Sequence, residues 1–261
     1  MILRNPVMNN KPLNLGIAGI RGRLGSLCKT LAIASPDFSL KGGTSRENDP
    51  GKGLFSDPLI LAQQCDVIID VSHASLTQAH AEAFTKANVA WVNGVTGLNS
   101  EQQALLGQTA LKIPVLQASN FSPALTLFFK AAEMLAKELP DYDAEIIETH
   151  HNQKADAPSG TALSIGRAVA KGRNIAFSSP QQQLRNKVRT KGEIGFSSIR
   201  GGRVVGEHEL RFLGEMEEIT LSHRSFDRKL FASGALKAAY WLGQRRPSPN
   251  RIYDMEDLIE S

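Results

Sequence analysis

The chain has 261 residues, 41% of them hydrophobic, and a net charge of +4. That is enough apolar material for one or two packed cores, and the longest apolar runs, 67–69 and 124–129, are far too short to cross a bilayer, so no membrane-spanning protein is expected. The mild positive excess is densest at 185–191, without interleaved aromatic residues or a recognisable module, so a solvated loop is expected there and no nucleic-acid surface; a positive field that draws in a small polyanion is the next reading.

Residues 1–14 lack an apolar core followed by a small-residue cleavage site and read as a frayed lead-in. Cys28 and Cys65 have no spacing that points to a metal or a redox pair; reduced thiols in a cytoplasmic protein are the expectation. The apolar run 13–18 predicts a short strand. Gly19-Ile20-Arg21-Gly22-Arg23-Leu24-Gly25 follows, and 26–34 has helical apolar spacing. Strand, glycine turn and helix open a nucleotide-binding βαβ unit. The second strand is expected at 38–42. The continuous apolar run 66–71 fits a parallel strand covered on both faces. Further elements follow in alternation: helix 76–87, strand 90–93, helix 101–111 and strand 113–117. This order predicts an open parallel sheet with helices on both faces.

The pattern changes after Ser119-Asn120-Phe121-Ser122. A helix is expected at 123–138, a strand at 145–149 and a helix at 161–171. A polar stretch, 178–191, reads as a loop. Strands are expected at 192–199, 204–212 and 218–222, with Gly201-Gly202 favouring a hairpin between the first two. A helix at 230–242 closes the pattern and is expected to pack back on the first domain.

In the first half, glycines let backbone approach a pyrophosphate, the next helix offers free N–H groups, and Arg23 adds a cation. NAD-selective sites place an acid at the end of the second strand, about twenty residues beyond the turn. Here the segment is Gly43-Thr44-Ser45-Arg46. Ser45 does not repel a 2′-phosphate and Arg46 can bind one, so NADPH is expected to be preferred over NADH. The opposing reading is that Glu47 or Asp49 replaces the missing acid. Two loops at carboxyl ends of expected strands, Gly94-Val95-Thr96-Gly97 and Ala118-Ser119-Asn120-Phe121, lie where ligands sit in such sheets.

The densest chemistry is at 145–162, EIIETHHNQKADAPSGTA. Adjacent side chains on a strand point to opposite faces, so either the strand ends between His150 and His151 or only one of them faces a ligand. An imidazole suits proton delivery near neutral pH. Ser159-Gly160-Thr161 opens a helix whose N–H groups, with the Thr161 hydroxyl, can grip a carboxylate; Ser and Thr are also ordinary helix caps. No H-E-x-x-H and no cysteine cluster accompany the histidines, so no metal is expected. Ser159 lacks the elbow of a nucleophile. Asp156 is expected to order the turn or pair with a cation. Arg200, Arg203, His223 and Arg228, on or near the later strands, could complete a basic pocket for a dicarboxylate, but single residues on strand ends are more often solvated charges, and they are left outside the site.

Written as E-I-x-E-x-H-x-x-x-K-x-D-x-P-S-G-T-A, this segment resembles the signature of the 4-hydroxy-tetrahydrodipicolinate reductase family. The resemblance covers nearly the whole chain. It implies an α/β protein: a Rossmann-like parallel-sheet domain from 1–122 and 230–261, and an α+β domain with a mixed sheet from 123–229. It implies NAD(P)H-dependent reduction of a cyclic dicarboxylate, 4-hydroxy-tetrahydrodipicolinate, with loss of water. Domain closure would bring the reacting carbons together. His150 would be the acid–base residue and Lys154 a proton donor or electrostatic partner. His151, Gly160 and Thr161 would bind substrate. Gly19, Ile20, Arg21, Gly22, Arg23, Leu24 and Arg46 would bind cofactor, and Gly94, Val95, Thr96, Ala118, Ser119, Asn120 and Phe121 would flank its nicotinamide. Leu24 and Val95 stand where the family has methionine and threonine, and Ser45 where it often has an acid. A homotetramer built through the second sheet is the family's assembly. Two other readings stay open: another two-domain dehydrogenase acting on an amino or sugar acid, and a non-catalytic dinucleotide sensor.

Overall fold

The computed structural model describes residues 11–178 and 188–260. Most of the expected lead-in at 1–14 and most of the expected loop at 178–191 lie outside them; residues 13 and 14 belong to the first strand. In chain order the first elements are β1 (Leu13–Ala18), α1 (Arg23–Ile33), β2 (Phe38–Thr44), β3 (Leu54–Phe55), α2 (Pro58–Ala62), β4 (Val67–Asp70), α3 (Thr77–Ala87), β5 (Ala90–Asn93), α4 (Ser100–Ala110) and β6 (Val115–Gln117). Then come α5 (Pro123–Glu138), β7 (Asp143–His150), α6 (Gly160–Gly172), β8 (Ile194–Arg200), β9 (Gly206–Leu213), β10 (Glu218–Ser225), α7 (Lys229–Arg245), β11 (Ile252–Tyr253) and α8 (Met255–Ile259). The chain divides into two compact units, Met1–Phe121 with Lys229–Ser261, and Ser122–Arg228.

The first unit is a seven-stranded sheet in the order β11-β6-β5-β4-β1-β2-β3, every neighbouring pair parallel. Strand alternation splits its side chains between two cores. Val67 and Ile69 of β4 join Leu15, Ile17, Val92 and the buried faces of α1 and α7. Ile68 between them joins Trp91, Phe84 and Leu106 under α3 and α4. That two-sided covering is why β4 reads as an unbroken apolar run. The face of α7 is built from Ala232, Gly234, Ala235, Ala238 and Ala239, which lets its backbone approach closely. Four short elements, β3, α2, β11 and α8, escaped the sequence patterns because two to five residues carry no period. Helix α1 begins at Arg23, three residues earlier than its apolar spacing indicates, because Gly22 is an extended N-cap. Burial pushes the Cys28 and Cys65 thiols up to about 12, so both stay protonated.

The second unit has a four-stranded mixed sheet in the order β10-β9-β7-β8, with α5 and α6 on one face. Leu210, Phe212 and Ile146 are fully buried there, each worth about 1.5–3 kcal/mol. The hairpin expected at Gly201-Gly202 does not form. Strand β7 lies between β8 and β9, parallel to the first and antiparallel to the second. The glycine connection instead caps the end of β7: Gly201 N–H donates to the His150 carbonyl at 2.9 Å, and Asn152 N–H donates to that of Gly202 at 3.3 Å. A glycine pair marks the turn in sequence, but only the strand inserted between β8 and β9 decides what the turn connects.

Candidate active site

In the first unit the expected cofactor residues gather at the carboxyl edge of the parallel sheet. Gly19, at φ +80°, leaves β1, and Gly22 N–H donates to the Gly19 carbonyl at 2.9 Å. No side chain caps α1, so the turn presents backbone N–H groups. Arg21 and Arg23 are exposed beside it, while the side chain of Ile20 is buried in the core and Leu24 packs against that core. Strand β1 is flanked by β2 and β4, so the chain turns to opposite sides of β1, the switch point where dinucleotides bind. At the ends of the next strands, Val95 N–H donates to the buried Asn93 side chain at 2.8 Å and Ala118 N–H to the Asn93 carbonyl at 2.9 Å. A Cβ on Gly94 would lie 2.5 Å from the Phe121 ring, so this glycine lets the two loops close on each other. Thr96 and Ser119 are exposed and Asn120 is half-buried. At the end of β2, Arg46 is exposed and Glu47 forms an ion pair with Arg21 of the glycine turn. Asp49 pairs with Lys52 at 2.8 Å.

In the second unit the helix-covered face of the sheet changes character along its length. On β7, Ala144 and Ile146 are apolar and Glu148 and His150 follow on the same face; on β9, Phe212 and Leu210 give way to His208. The register aligns Ser198, Glu148, His208 and His223 as one row across four strands. In the adjoining row Arg200 lies beside His150. On its other side is Gly206, where a Cβ would stand 3.1 Å from His150 Nε2. Over this polar end sits the start of α6. Ser159 caps the helix by accepting from Ala162 N–H at 3.2 Å, and its Oγ lies 3.2 Å from His208 Nε2. Gly160 is exposed with open space around it, and Thr161 occupies the same helical turn.

Glu148 is the hub of this cluster. One carboxylate oxygen accepts from Arg200 at 2.7 Å and from Ser159 N–H at 3.3 Å, and the other contacts His150 Nδ1. Burial alone would raise its pKa. Hydrogen bonds from His150, Arg200 and Ser198 overcome that and hold the carboxyl well below the usual carboxylate range. Among the described residues, Glu148, His150 and His208 form a set whose donor atoms lie within 4.8 Å of one another. Spacing in sequence did not reveal it, because His208 comes from a distant strand. The Arg200 guanidinium on Glu148, 2.7 Å from one carboxylate oxygen, opposes a cation there.

Strand β7 ends at His150, so His151 turns away from it. His151 Nε2 meets Arg228 at 3.0 Å, and Gln153 N–H donates to its Nδ1 at 3.2 Å. Burial, and then the Arg228 charge, push the His151 pKa down. Lys154 is largely buried and donates to both oxygens of Asp156 at 2.8 Å. Arg200 also donates to the Asp156 carbonyl at 2.7 Å, which ties that turn to Glu148. Arg200 and Arg228, read from sequence as solvated charges, are thus brought to the predicted site residues. Gly206 and His208 were not singled out either, and only the strand register brings them there; Glu148 stands in the segment 145–162, two residues before His150 on the same strand face, but had been given no role.

Burial, and then the nearby His150 charge, hold His208 down at about 3, against an ordinary 6.5. Between those values the unfolded chain binds a proton that the folded chain refuses. The stability this ring contributes is therefore lost as pH falls, by about 1.4 kcal/mol per pH unit. Glu148, held ionised in the fold, adds to the loss below the ordinary carboxylate range. Thermal unfolding is expected to move to lower temperature between about pH 7 and about pH 5. His208→Gln should flatten that dependence by one proton; an unaltered slope in the variant would remove His208 as its source.

Residues 13–121 match the family model described as dihydrodipicolinate reductase, N-terminus, and residues 124–259 the one described as its C-terminus. The chain is 54% identical over 246 residues to the 4-hydroxy-tetrahydrodipicolinate reductase of Gluconobacter oxydans, covering 94% of this chain and 96% of the relative. It is 44% identical over 257 residues to the reductase of the same name from Gluconacetobacter diazotrophicus, covering 97% and 99%. In fold it is similar to a dipicolinate-bound dihydrodipicolinate reductase from Paenisporosarcina sp. TG-14, with a TM-score of 0.75, 24% identity and coverage of 95% and 99%.

Proposed function

The chain belongs to the dihydrodipicolinate reductase family, and from that premise we propose that it reduces 4-hydroxy-tetrahydrodipicolinate to tetrahydrodipicolinate with NAD(P)H in the diaminopimelate route of lysine biosynthesis. The observation that carries the reading is the joining of His150, through Glu148, to the start of α6 at Ser159. A proton source and an anion-gripping helix end are thereby built on one polar patch. The substrate's hydroxyl leaves as water together with a hydrogen from the neighbouring ring carbon, giving a ring in which carbon–carbon and imine double bonds are conjugated. NAD(P)H then delivers a hydride to carbon, and its two electrons displace charge onto the rest of that system. His150 supplies the balancing proton, with Lys154 as electrostatic partner. Gly160, Thr161 and His151 hold the carboxylates, and Arg228 beside His151 provides a further cation for them. The nucleotide lies on the first unit, its pyrophosphate on the turn 19–25 and its nicotinamide by the loops at 94–97 and 118–121.

Loss of absorbance at the reduced-nicotinamide band, with freshly made substrate, tests the reading. No oxidation under those conditions would favour another dehydrogenase or a dinucleotide sensor. NADPH is proposed as the preferred donor, since Glu47 is engaged with Arg21 while Arg46 is exposed at the end of β2. The kcat/KM for NADPH should exceed that for NADH, and Arg46→Ala should narrow the gap; a clear NADH preference in the wild type would overturn this. The cytoplasm is the proposed compartment; no helix among the described residues is long and apolar enough to cross a membrane. A homotetramer is also proposed, with Ile147, Ile199 and Leu213 on the sheet face away from α5 and α6 as support. A monomeric mass on exclusion chromatography at micromolar concentration would refute it.

A further inference from the structure

We propose that Glu148 is a positioning residue that fixes which ring nitrogen of His150 carries the transferable proton. The inference rests on the reading of His150 as the acid and adds a residue to which that reading gave no role. Glu148 is ionised and almost fully buried, and an ionised carboxylate only accepts hydrogen bonds. Its contact with His150 Nδ1 therefore places a proton on Nδ1 and leaves Nε2 as the nitrogen that can exchange one.

The surroundings fit that role. Nε2 lies on the side of Gly206, the one position of β9 in this row that brings no side chain against the ring. His208 stands edge-on to His150 at 5.1 Å between ring centroids. Its own Nε2 faces the Ser159 hydroxyl, and burial with the nearby His150 charge holds its pKa down at about 3, so it adds no charge beside His150 near neutral pH. Arg200 holds Glu148 through one oxygen and the Asp156 carbonyl through the same nitrogen, so the acid and the Lys154 turn share an anchor.

The step balances without a further reactant. Hydride addition leaves the substrate ring with an electron pair that takes the Nε2 proton. The imidazolium becomes the neutral Nδ1–H tautomer, its Nδ1 in contact with Glu148, and solvent later returns a proton to Nε2. Glu148 stays a carboxylate throughout, as a group that orients an imidazole does.

Nitrogen-15 spectra of histidine-labelled wild-type protein decide the central point, with His150 assigned by the signals lost in His150→Gln. At a pH where the ring is neutral, the expected species is Nδ1–H; finding Nε2–H would overturn the proposal. Glu148→Gln supplies the second arm, because a carboxamide can donate to Nδ1 and release the constraint. Its kcat is expected to fall on the order of 10²-fold, with KM for NADPH unchanged and the tautomer shifted. Glu148→Asp, which keeps the charge, should recover part of the loss. Turnover of Glu148→Gln within about threefold of wild type would also sink the idea, since a wrongly poised acid costs far more. Should Glu148→Gln not fold, the wild-type spectrum still distinguishes the two tautomers. A wild type that fails to oxidise NADPH with the substrate would instead count against the proposed reaction, and the tautomer would be judged on its spectrum.

Discussion

Replacing His150 with alanine is expected to lower kcat by about 10²–10⁴-fold while leaving NADPH affinity within about twofold. The magnitude is what a positioned acid contributes when proton delivery accompanies hydride transfer. The selectivity follows from where the residues lie: His150 closes β7 in the second unit, whereas the glycine turn and the nicotinamide loops belong to the first. The variant should fold. Glu148 loses one partner, worth about 1.5–3 kcal/mol for a charged hydrogen bond, but keeps Arg200 and Ser159 N–H. Lys154→Ala should move turnover in the same direction, because it removes the cation that Asp156 holds in place. Stopped-flow and steady-state turnover, paired with nucleotide titration, check both. Unchanged turnover in the two variants would remove the assigned acid and its partner together.

A second large effect is expected at Gly25. An alanine Cβ there would lie 2.1 Å from the Gly19 carbonyl oxygen and 3.0 Å from Ile20 Cα. Those are backbone atoms of the turn that would receive the pyrophosphate, and Gly19 is itself pressed against Ser72. The helix must move away from the turn, at a cost of about 1–3 kcal/mol or more, and the N–H groups move with it. Gly25→Ala should therefore weaken NADPH binding at least about tenfold, since about 1.4 kcal/mol is a factor of ten, and lower the melting temperature. Gly107→Ala is the contrast. That glycine lies inside α4, and a Cβ there meets nothing within 4 Å. The change should leave binding intact and stabilise the helix by about 0.5–1 kcal/mol. Fluorescence titration of NADPH and thermal melts on both variants compare the two sites. Equal binding by Gly25→Ala and wild type would show that the turn does not hold the nucleotide.

Much of the fold was legible because burial on two faces leaves a strong mark on sequence. The runs at β1, β4 and β5 have no polar side except at their ends, and α5 and α6 show their apolar period. The short elements at 54–62 and 252–259 left no such mark: β3 and β11 are two residues each, held by pairing with β2 and β6, and α2 and α8 are five residues each. In the candidate site, local order places His150, Lys154 and the helix start at Ser159 near one another because they are close in sequence. It failed for Arg200, Gly206 and His208, each of which is an ordinary strand residue until a neighbouring strand is known.

By itself, then, the chain determined its two kinds of unit, the glycine turn, and the segment that joins an imidazole, an ammonium and a helix end. These are set by short-range chemistry: backbone freedom at glycine, apolar periodicity, and side chains within one turn of each other. Tertiary structure alone decided that β7 separates β8 from β9, which made the expected hairpin a crossover. It also decided that Glu148 would be shared by His150, Arg200 and the amide of Ser159. The reason is physical: a strand's partner is chosen by lining up its buried face with those of its neighbours under the covering helices, and no single segment contains that information.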